Sequence, residues 1–212
     1  MTELNAMTDT RLTTIDARAI PLPIDNLDTD QIMPKQFLRI IDKAGLSAGL
    51  LYDLRFDEHG TLRPDCVLNQ PASQGARILL GGSNFGCGSS REHAVWGLQQ
   101  FGFDAVIAPS FAEIFYSNAM NNRLLLVQLQ REEVAQLVAE SAANATAQLH
   151  IDLEAQTVKS ASGCTFAFPL GARHKRMVID GMDTIDLTMT ALAQIEAFEK
   201  RHFERHRWAA VM

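Results

Sequence analysis

The stretch from residue 76 to residue 142 constrains most strongly what this chain can fold into. "ARILLGG" (76–82), "DAVIAP" (104–109) and "RLLLVQL" (123–129) are short apolar runs bounded by glycine, proline or polar residues. Runs so short and so apolar suit strands covered on both faces. The segments between them have helical spacing. Ser89 with Glu92, and Ser110 with Glu113, repeat the Ser-x-x-Glu pattern of a capping box. The pattern predicts one helix from Ser89 to about Phe101 and a second through "FAEIFYSNAM". Gly102 is placed to end the first helix, and Pro109 to stop the strand after it. "REEVAQLVAESA" reads as a third helix. Strand and helix alternating three times predict an α/β core with parallel strands.

The flanks are read more coarsely. "DARAIPLP" (16–23) predicts a strand running into a proline-punctuated loop, and "DNLDTDQIMPKQFLR" (25–39) a polar loop passing into a short helix. Residues 44–72 carry Gly, Pro and Asp at short intervals, which predicts loops with short strands. "AQLHIDLEAQTVKSASGCTFAFPL" has two or three strand-like runs with a Ser/Gly turn and predicts an antiparallel hairpin, and "TALAQIEAFEKRHFERH" predicts a C-terminal helix. The first fourteen residues lack the apolar run of a secretory signal and read as a flexible tail. A single mixed α/β domain over 15–212 follows, without repeats or low-complexity tracts.

Composition excludes several roles. A net charge of −6 argues against a nucleic-acid or membrane-surface partner. No apolar run approaches the roughly 18 residues of a bilayer span. Cys66, Cys87 and Cys164 are odd in number, widely spaced and free of any CxxC pair. That usage suits a reducing, cytoplasmic setting and offers neither a disulfide framework nor a closed metal site.

The chemistry concentrates in "GCGSSREHAVW" (86–96), at the expected turn from strand to helix. Such a turn presents unpaired N–H groups and the positive end of a helix, which favour an anion. Gly86 and Gly88 allow close backbone approach, and Arg91 could grip a carboxylate or phosphate with two parallel bonds. The stretch lacks the Gly-Lys-Ser/Thr of a P-loop, the third glycine of a dinucleotide fingerprint and the trailing glycine of a nucleophile elbow. Cys87 as a nucleophile activated by His93 remains open. Each residue also has a plain role: Ser89 as an N-cap, Cys87 and His93 as packed side chains, Arg91 as a surface charge.

"FGCGSSREHAVWGLQQFGFDAVIAPSFAEIFYSNAMNN", with "LDTDQIMPKQFL", "VLNQP", "IDLEAQTV" and "GMDTIDLTM" in order, resembles the swivel domain of the aconitase superfamily, and within it the small subunits of isopropylmalate dehydratases. The likeness runs from about residue 14 to 190. It implies a swivel-type β/β/α fold with a mixed, partly parallel sheet, flanking helices and a C-terminal hairpin plus helix. It also implies a heteromeric hydro-lyase in which the large subunit of 3-isopropylmalate dehydratase carries a [4Fe-4S] cluster and this chain carries none. On the same resemblance Ser89 is the catalytic base, Ser90 and Arg91 bind a small dicarboxylate, Asp30 orients nearby cations, and Lys35 is the nearest candidate for a further basic group. Homoaconitate or a methylated malate is the alternative substrate within the superfamily. The basic run Arg173–His174–Lys175–Arg176 reads as a solvated face, with the alternative that one of the four faces the cleft.

Overall fold

The structure, a computed structural model, describes residues 11–38 and 45–209. Of the expected tail, residues 1–10 lie outside that set. Arg11 to Thr14 are already engaged: Arg11 pairs with Asp180, and the Leu12 N–H bonds the Ile179 carbonyl at 3.0 Å.

Strand β1 (Thr14–Leu22) buries Ile15, Ala17, Ile20 and Leu22. Two single-turn helices, α1 (Thr29–Ile32) and α2 (Tyr52–Arg55), lie in the long connection that follows. The short strands expected over 44–72 are replaced by short 3₁₀ turns at Leu46–Ala48, Val67–Asn69 and Pro71–Ser73, and a lone Phe56–Leu62 bridge. Side-chain grips take the place of a ladder here. The half-buried Arg55 guanidinium donates to the Ser47 and Leu50 carbonyls and to Asn69, and lies 4.9 Å from the Phe101 ring centroid.

Then comes the expected alternation: β2 (Ile78–Gly81), α3 (Glu92–Phe101), β3 (Ala105–Ala108), α4 (Glu113–Asn121), β4 (Leu125–Gln128) and α5 (Arg131–Ala143). Gly102 ends α3 in the left-handed conformation, as expected. Strands β5 (Gln148–Asp152), β6 (Thr157–Lys159) and β7 (Thr165–Ala167) form a three-stranded antiparallel meander, one strand more than a hairpin. Helices α6 (Ala172–Asp180), α7 (Thr184–Met189) and α8 (Leu192–Arg205) follow, and a 3₁₀ turn at Arg207–Ala209 ends the described chain. No residue of α7 or α8 is buried.

The seven strands form one mixed sheet in the order β4-β3-β2-β1-β5-β6-β7. Strand β1 is the seam: residues 19–22 pair in parallel with β2, and residues 14–18 pair antiparallel with β5. Side chains alternate along the inner strands, so each face has its own core. Leu79, Val106 and Leu126 face α3, α4 and the 27–68 connection. Ile78, Leu80, Ile107 and Val127 face α5, β5 and α6. The carboxyl ends of the parallel strands are left for the loops, where open α/β sheets place their ligands.

The basic run at 173–176 is not simply a solvated face, because it opens α6 and turns His174 inward. The other three stay near the surface. Lys175 donates to the Glu154 carbonyl at 2.8 Å and Arg176 lies 3.7 Å from Asp180. His174 is fully buried, with its ring edge-on to Tyr116 at 5.7 Å. Its ring nitrogens have no well-formed hydrogen bond among the described residues. Burial holds its pKa down at about 4, against a partly opposing backbone contact with Leu124.

Candidate active site

Two segments far apart in sequence lie side by side beyond the end of β2: 25–30 and 83–91. A row of bonds joins them. The Ser83 N–H donates to Asp25 Oδ1 at 2.7 Å, and the Asn26 N–H to the Ser83 carbonyl at 2.8 Å. The Gly86 N–H donates to the Leu27 carbonyl at 2.8 Å, and the Thr29 N–H to the Cys87 carbonyl at 2.8 Å. Asn84 Nδ2 reaches Asn26 Oδ1 at 2.9 Å, and Thr29 Oγ1 donates to the Ser89 carbonyl at 2.8 Å. The Ser83 N–H and then the Arg131 guanidinium hold the Asp25 carboxyl below the usual carboxylate range.

The backbone needed for this pairing explains the residue types. Asn26 and Asn84 both have φ near +56°, a region that asparagine visits more readily than most side chains. Gly86 and Gly88 have φ of +77° and +91°. A side chain at Gly86 would also drive into the Phe115 ring.

Ser89 and Ser90 lie exposed at the end of this double segment, and Arg91 is the N-cap of α3. That corrects two expectations. The helix starts at Glu92 rather than Ser89, and Arg91 has extended backbone (φ −125°, ψ 105°) rather than sitting in the first turn. No side chain caps the helix, so the Ser89 hydroxyl is not engaged as a cap. The capping and catalytic roles do not compete for one oxygen.

The Arg91 guanidinium is only 12% exposed and is ion-paired through Nη1 to Asp30, which is 44% exposed. The same nitrogen lies 3.4 Å from the Met33 carbonyl. Asp30 is delivered by α1, whose Asp28 and Gln31 form a complete capping box. The exposed Ser89 and Ser90 therefore lie within two residues of the Arg91–Asp30 pair. Lys35 stands apart from this bonded group, exposed on the 3₁₀ turn Lys35–Phe37 and without an ion pair among the described residues.

Cys87 and His93 do not form a nucleophile pair. The Cys87 thiol donates to the Asn26 carbonyl at 3.3 Å, while the His93 ring packs 4.8 Å from that of Trp96. Behind the site, Asn122 ties α3 to the end of α4. It donates to Glu92 Oε1 at 2.6 Å and accepts from Trp96 Nε1 at 2.8 Å, while its carbonyl takes Gln99 Nε2 at 2.7 Å.

Sequence reasoning missed Thr29, Asn26, Asn84 and Asn122. Asparagine visits positive φ more readily than most residues, but no local signal names partners that lie tens of residues away. The three cysteines occupy separate segments, and no group of three or more His, Cys, Asp or Glu side chains suited to a metal occurs among the described residues. A [4Fe-4S] cluster therefore does not fit the described residues of this chain.

Residues 10–132 match the family described as the aconitase C-terminal domain, and residues 135–172 match the one described as LeuD_N. The fold is that of an aconitase-type domain. A relative from Chromobacterium violaceum, "3-isopropylmalate dehydratase small subunit 1", is 56% identical over 92% of both chains. The "3-isopropylmalate dehydratase small subunit" of Phenylobacterium zucineum is 49% identical over 92% of this chain and 96% of its own. A solved 3-isopropylmalate dehydratase structure from Methanocaldococcus jannaschii superimposes with a TM-score of 0.63 at 28% identity, covering 87% of this chain and 99% of that one. The chain belongs to the family of 3-isopropylmalate dehydratase small subunits.

Proposed function

We propose that this chain is the small subunit of a heteromeric hydro-lyase that interconverts 2-isopropylmalate and 3-isopropylmalate through a dehydrated intermediate, in leucine biosynthesis. One observation carries the reading. An exposed, uncapped Ser89 lies two residues from a nearly buried Arg91 already oriented by Asp30.

The roles follow from the chemistry of a hydroxy-diacid. Ser89 Oγ, as an alkoxide, takes the proton from the carbon beside a carboxylate while hydroxide leaves the neighbouring carbon. One water is lost, and its return with H and OH exchanged between the two carbons gives the isomer. Free N–H groups at the turn and the positive helix end lower the cost of the serine anion. Arg91 grips the substrate carboxylate with the guanidinium edge that Asp30 leaves open, and Ser90 adds a hydrogen bond. Lys35, exposed outside this bonded group, is the candidate for a further basic contact to the substrate.

Ser89 and Ser90 are open to solvent in this chain alone, so water exclusion falls to a partner. That partner is the large subunit of 3-isopropylmalate dehydratase, which holds the [4Fe-4S] cluster. The proposed setting is the cytoplasm, that of a biosynthetic enzyme; the sequence pI is near 5.5, and no helix among the described residues is long and apolar enough to cross a membrane. A homoaconitate or methylmalate substrate is less well supported, since the relatives above carry the isopropylmalate name.

The test is anaerobic reconstitution with the large subunit, followed by an assay for the unsaturated product from several malates. Activity on both isopropylmalates, absent from either chain alone, is expected. A complex that turns over only homologous or methylated substrates would sink the assignment.

A further inference from the structure

We infer that Thr29 is a positioning residue, whose two hydrogen bonds aim the backbone N–H groups on either side of Ser89 toward the anion formed in the reaction. This rests on the reading of Ser89 just given and extends it to a residue that does not touch substrate. Thr29 is 1% exposed and reaches the catalytic turn twice. Its N–H donates to the Cys87 carbonyl at 2.8 Å, and its hydroxyl donates to the Ser89 carbonyl at 2.8 Å.

A trans peptide is planar, with C=O and N–H pointing in opposite directions. Holding the Cys87 carbonyl on Thr29 therefore turns the Gly88 N–H away from Thr29. Holding the Ser89 carbonyl does the same to the Ser90 N–H. Two donors bracket Ser89 and face outward together, and neither bonds to a backbone carbonyl among the described residues. Gly88, at φ +91°, supplies the backbone conformation between the two held carbonyls. Backbone N–H groups brought to one side of a turn in this way, here those of Gly88 and Ser90, form an anion-binding concavity.

The arrangement is specific to a hydroxyl donor. The peptide between Ser89 and Ser90 lies in an exposed turn, where among the described residues the Thr29 hydroxyl is the hydrogen-bond donor to its carbonyl. Valine has the same shape and would preserve packing but would leave the Ser89 carbonyl unheld. Serine would keep the donor while losing the methyl group. A structural role and a positioning role thus predict opposite patterns for the two substitutions.

In the assembled enzyme, Thr29→Val should lower kcat about tenfold or more with KM little changed, less than the hundredfold or greater loss typical of deleting an oxyanion donor outright. Thr29→Ser should restore most of kcat even where its melting temperature is lower. The isolated chain gives a readout independent of turnover: the ¹⁵N–¹H resonances of Gly88 and Ser90 should shift or broaden in Thr29→Val and stay near wild type in Thr29→Ser. Wild-type kcat and unmoved resonances in Thr29→Val overturn the inference while leaving Ser89 as base. The same is true if Thr29→Ser is the impaired variant. An inactive wild-type complex whose resonances respond as expected removes the dehydratase reading and leaves the aiming of the turn intact.

Discussion

Two strand-to-helix junctions in this molecule carry the same local pattern and use it differently. After β2 the chain reads Ser89-x-x-Glu92, and after β3 it reads Ser110-x-x-Glu113. Neither serine caps its helix; the N-caps are Arg91 and Ala112. At the second junction the serine is consumed by structure. Ser110 Oγ accepts from the Asn84 N–H at 2.8 Å, and its carbonyl accepts from the Phe85 N–H at 3.0 Å. At the first junction the backbone does the holding, through Thr29, and the Ser89 side chain is left exposed. The quiet junction braces the reactive one, because Asn84 and Phe85 lead directly into the Gly86–Ser90 turn. A serine becomes available for chemistry when other groups fix its backbone.

The sharpest way to break this comparison is to remove the exposed hydroxyl. Ser89→Ala should lower kcat by about 10²–10⁴, the range for losing a positioned base, with assembly and most of the substrate affinity retained. Steady-state kinetics of the complex measure it. A variant with near wild-type kcat would place the base elsewhere. Cys87→Ser is the matching control, since its thiol is turned to the Asn26 carbonyl, and should be far milder.

Arg91 comes next. A guanidinium held on one side by Asp30 presents a planar fork that an ammonium cannot reproduce. Truncating one partner of such a pair typically costs about 2–5 kcal/mol, or roughly 30-fold to several-thousand-fold in kcat/KM. Arg91→Lys should raise KM for isopropylmalate strongly, and Arg91→Ala more so. Unchanged KM in Arg91→Lys would make the Asp30 pair a purely structural contact.

A third test asks whether the α4 side of the molecule contributes stability alone. Tyr116 on α4 packs against buried His174, and burial raises the tyrosine pKa as it lowers that of histidine to about 4. The unfolded chain binds the His174 proton below about pH 6.5 while the fold resists it down to about pH 4. Stability therefore falls as pH drops through that window. At about 1.4 kcal/mol per pKa unit, the loss from this group reaches roughly 2–3 kcal/mol near pH 4.5. Urea unfolding at pH 7 and 4.5 should show a smaller decrease for His174→Phe than for wild type. Equal decreases would mean His174 is charged in the fold.

Much of this was legible in the sequence, and the division has a physical cause. The α/β alternation, the Gly102 terminus and the concentration of chemistry in the 86–96 turn follow from periodicity, backbone preference and composition, which are properties of contiguous residues. That Asp30 belongs with Ser89, Ser90 and Arg91 was implied only by the family resemblance. The caps were misread because Ser-x-x-Glu records what a serine can do locally, while Asn84 competed for Ser110 from another loop. The loops over 44–72 were read as partly strands because nothing local reveals that Arg55 will bind the Ser47 and Leu50 carbonyls. His174 lay inside a basic run and was read by its neighbours' charge, although α6 turns it toward the core. Thr29 was in view within the "DTD" motif, but its partner carbonyl is sixty residues away.

The smallest expected effect belongs to Ser110, and it decides whether the two junctions really differ in kind. Ser110→Ala removes one acceptor from the Asn84 N–H in an exposed turn, where water can substitute. Such a bond contributes about 0.5–1.5 kcal/mol, so a loss of roughly 1 kcal/mol in unfolding free energy is expected. The Phe85–Ser110 backbone bond survives the substitution, and so does the edge-on packing of Phe85 on Phe111 and Phe115, at centroid distances of 6.2 and 5.4 Å. The Gly86–Ser90 turn should therefore keep its place, with kcat and KM within about twofold of wild type while the protein stays folded. The two alanine variants are then opposites: Ser89→Ala is stable and nearly inactive, Ser110→Ala active and slightly less stable. If Ser110→Ala lost kcat in proportion to Ser89→Ala at full stability, the hydroxyls would be working together, and the brace would belong to the catalytic machinery.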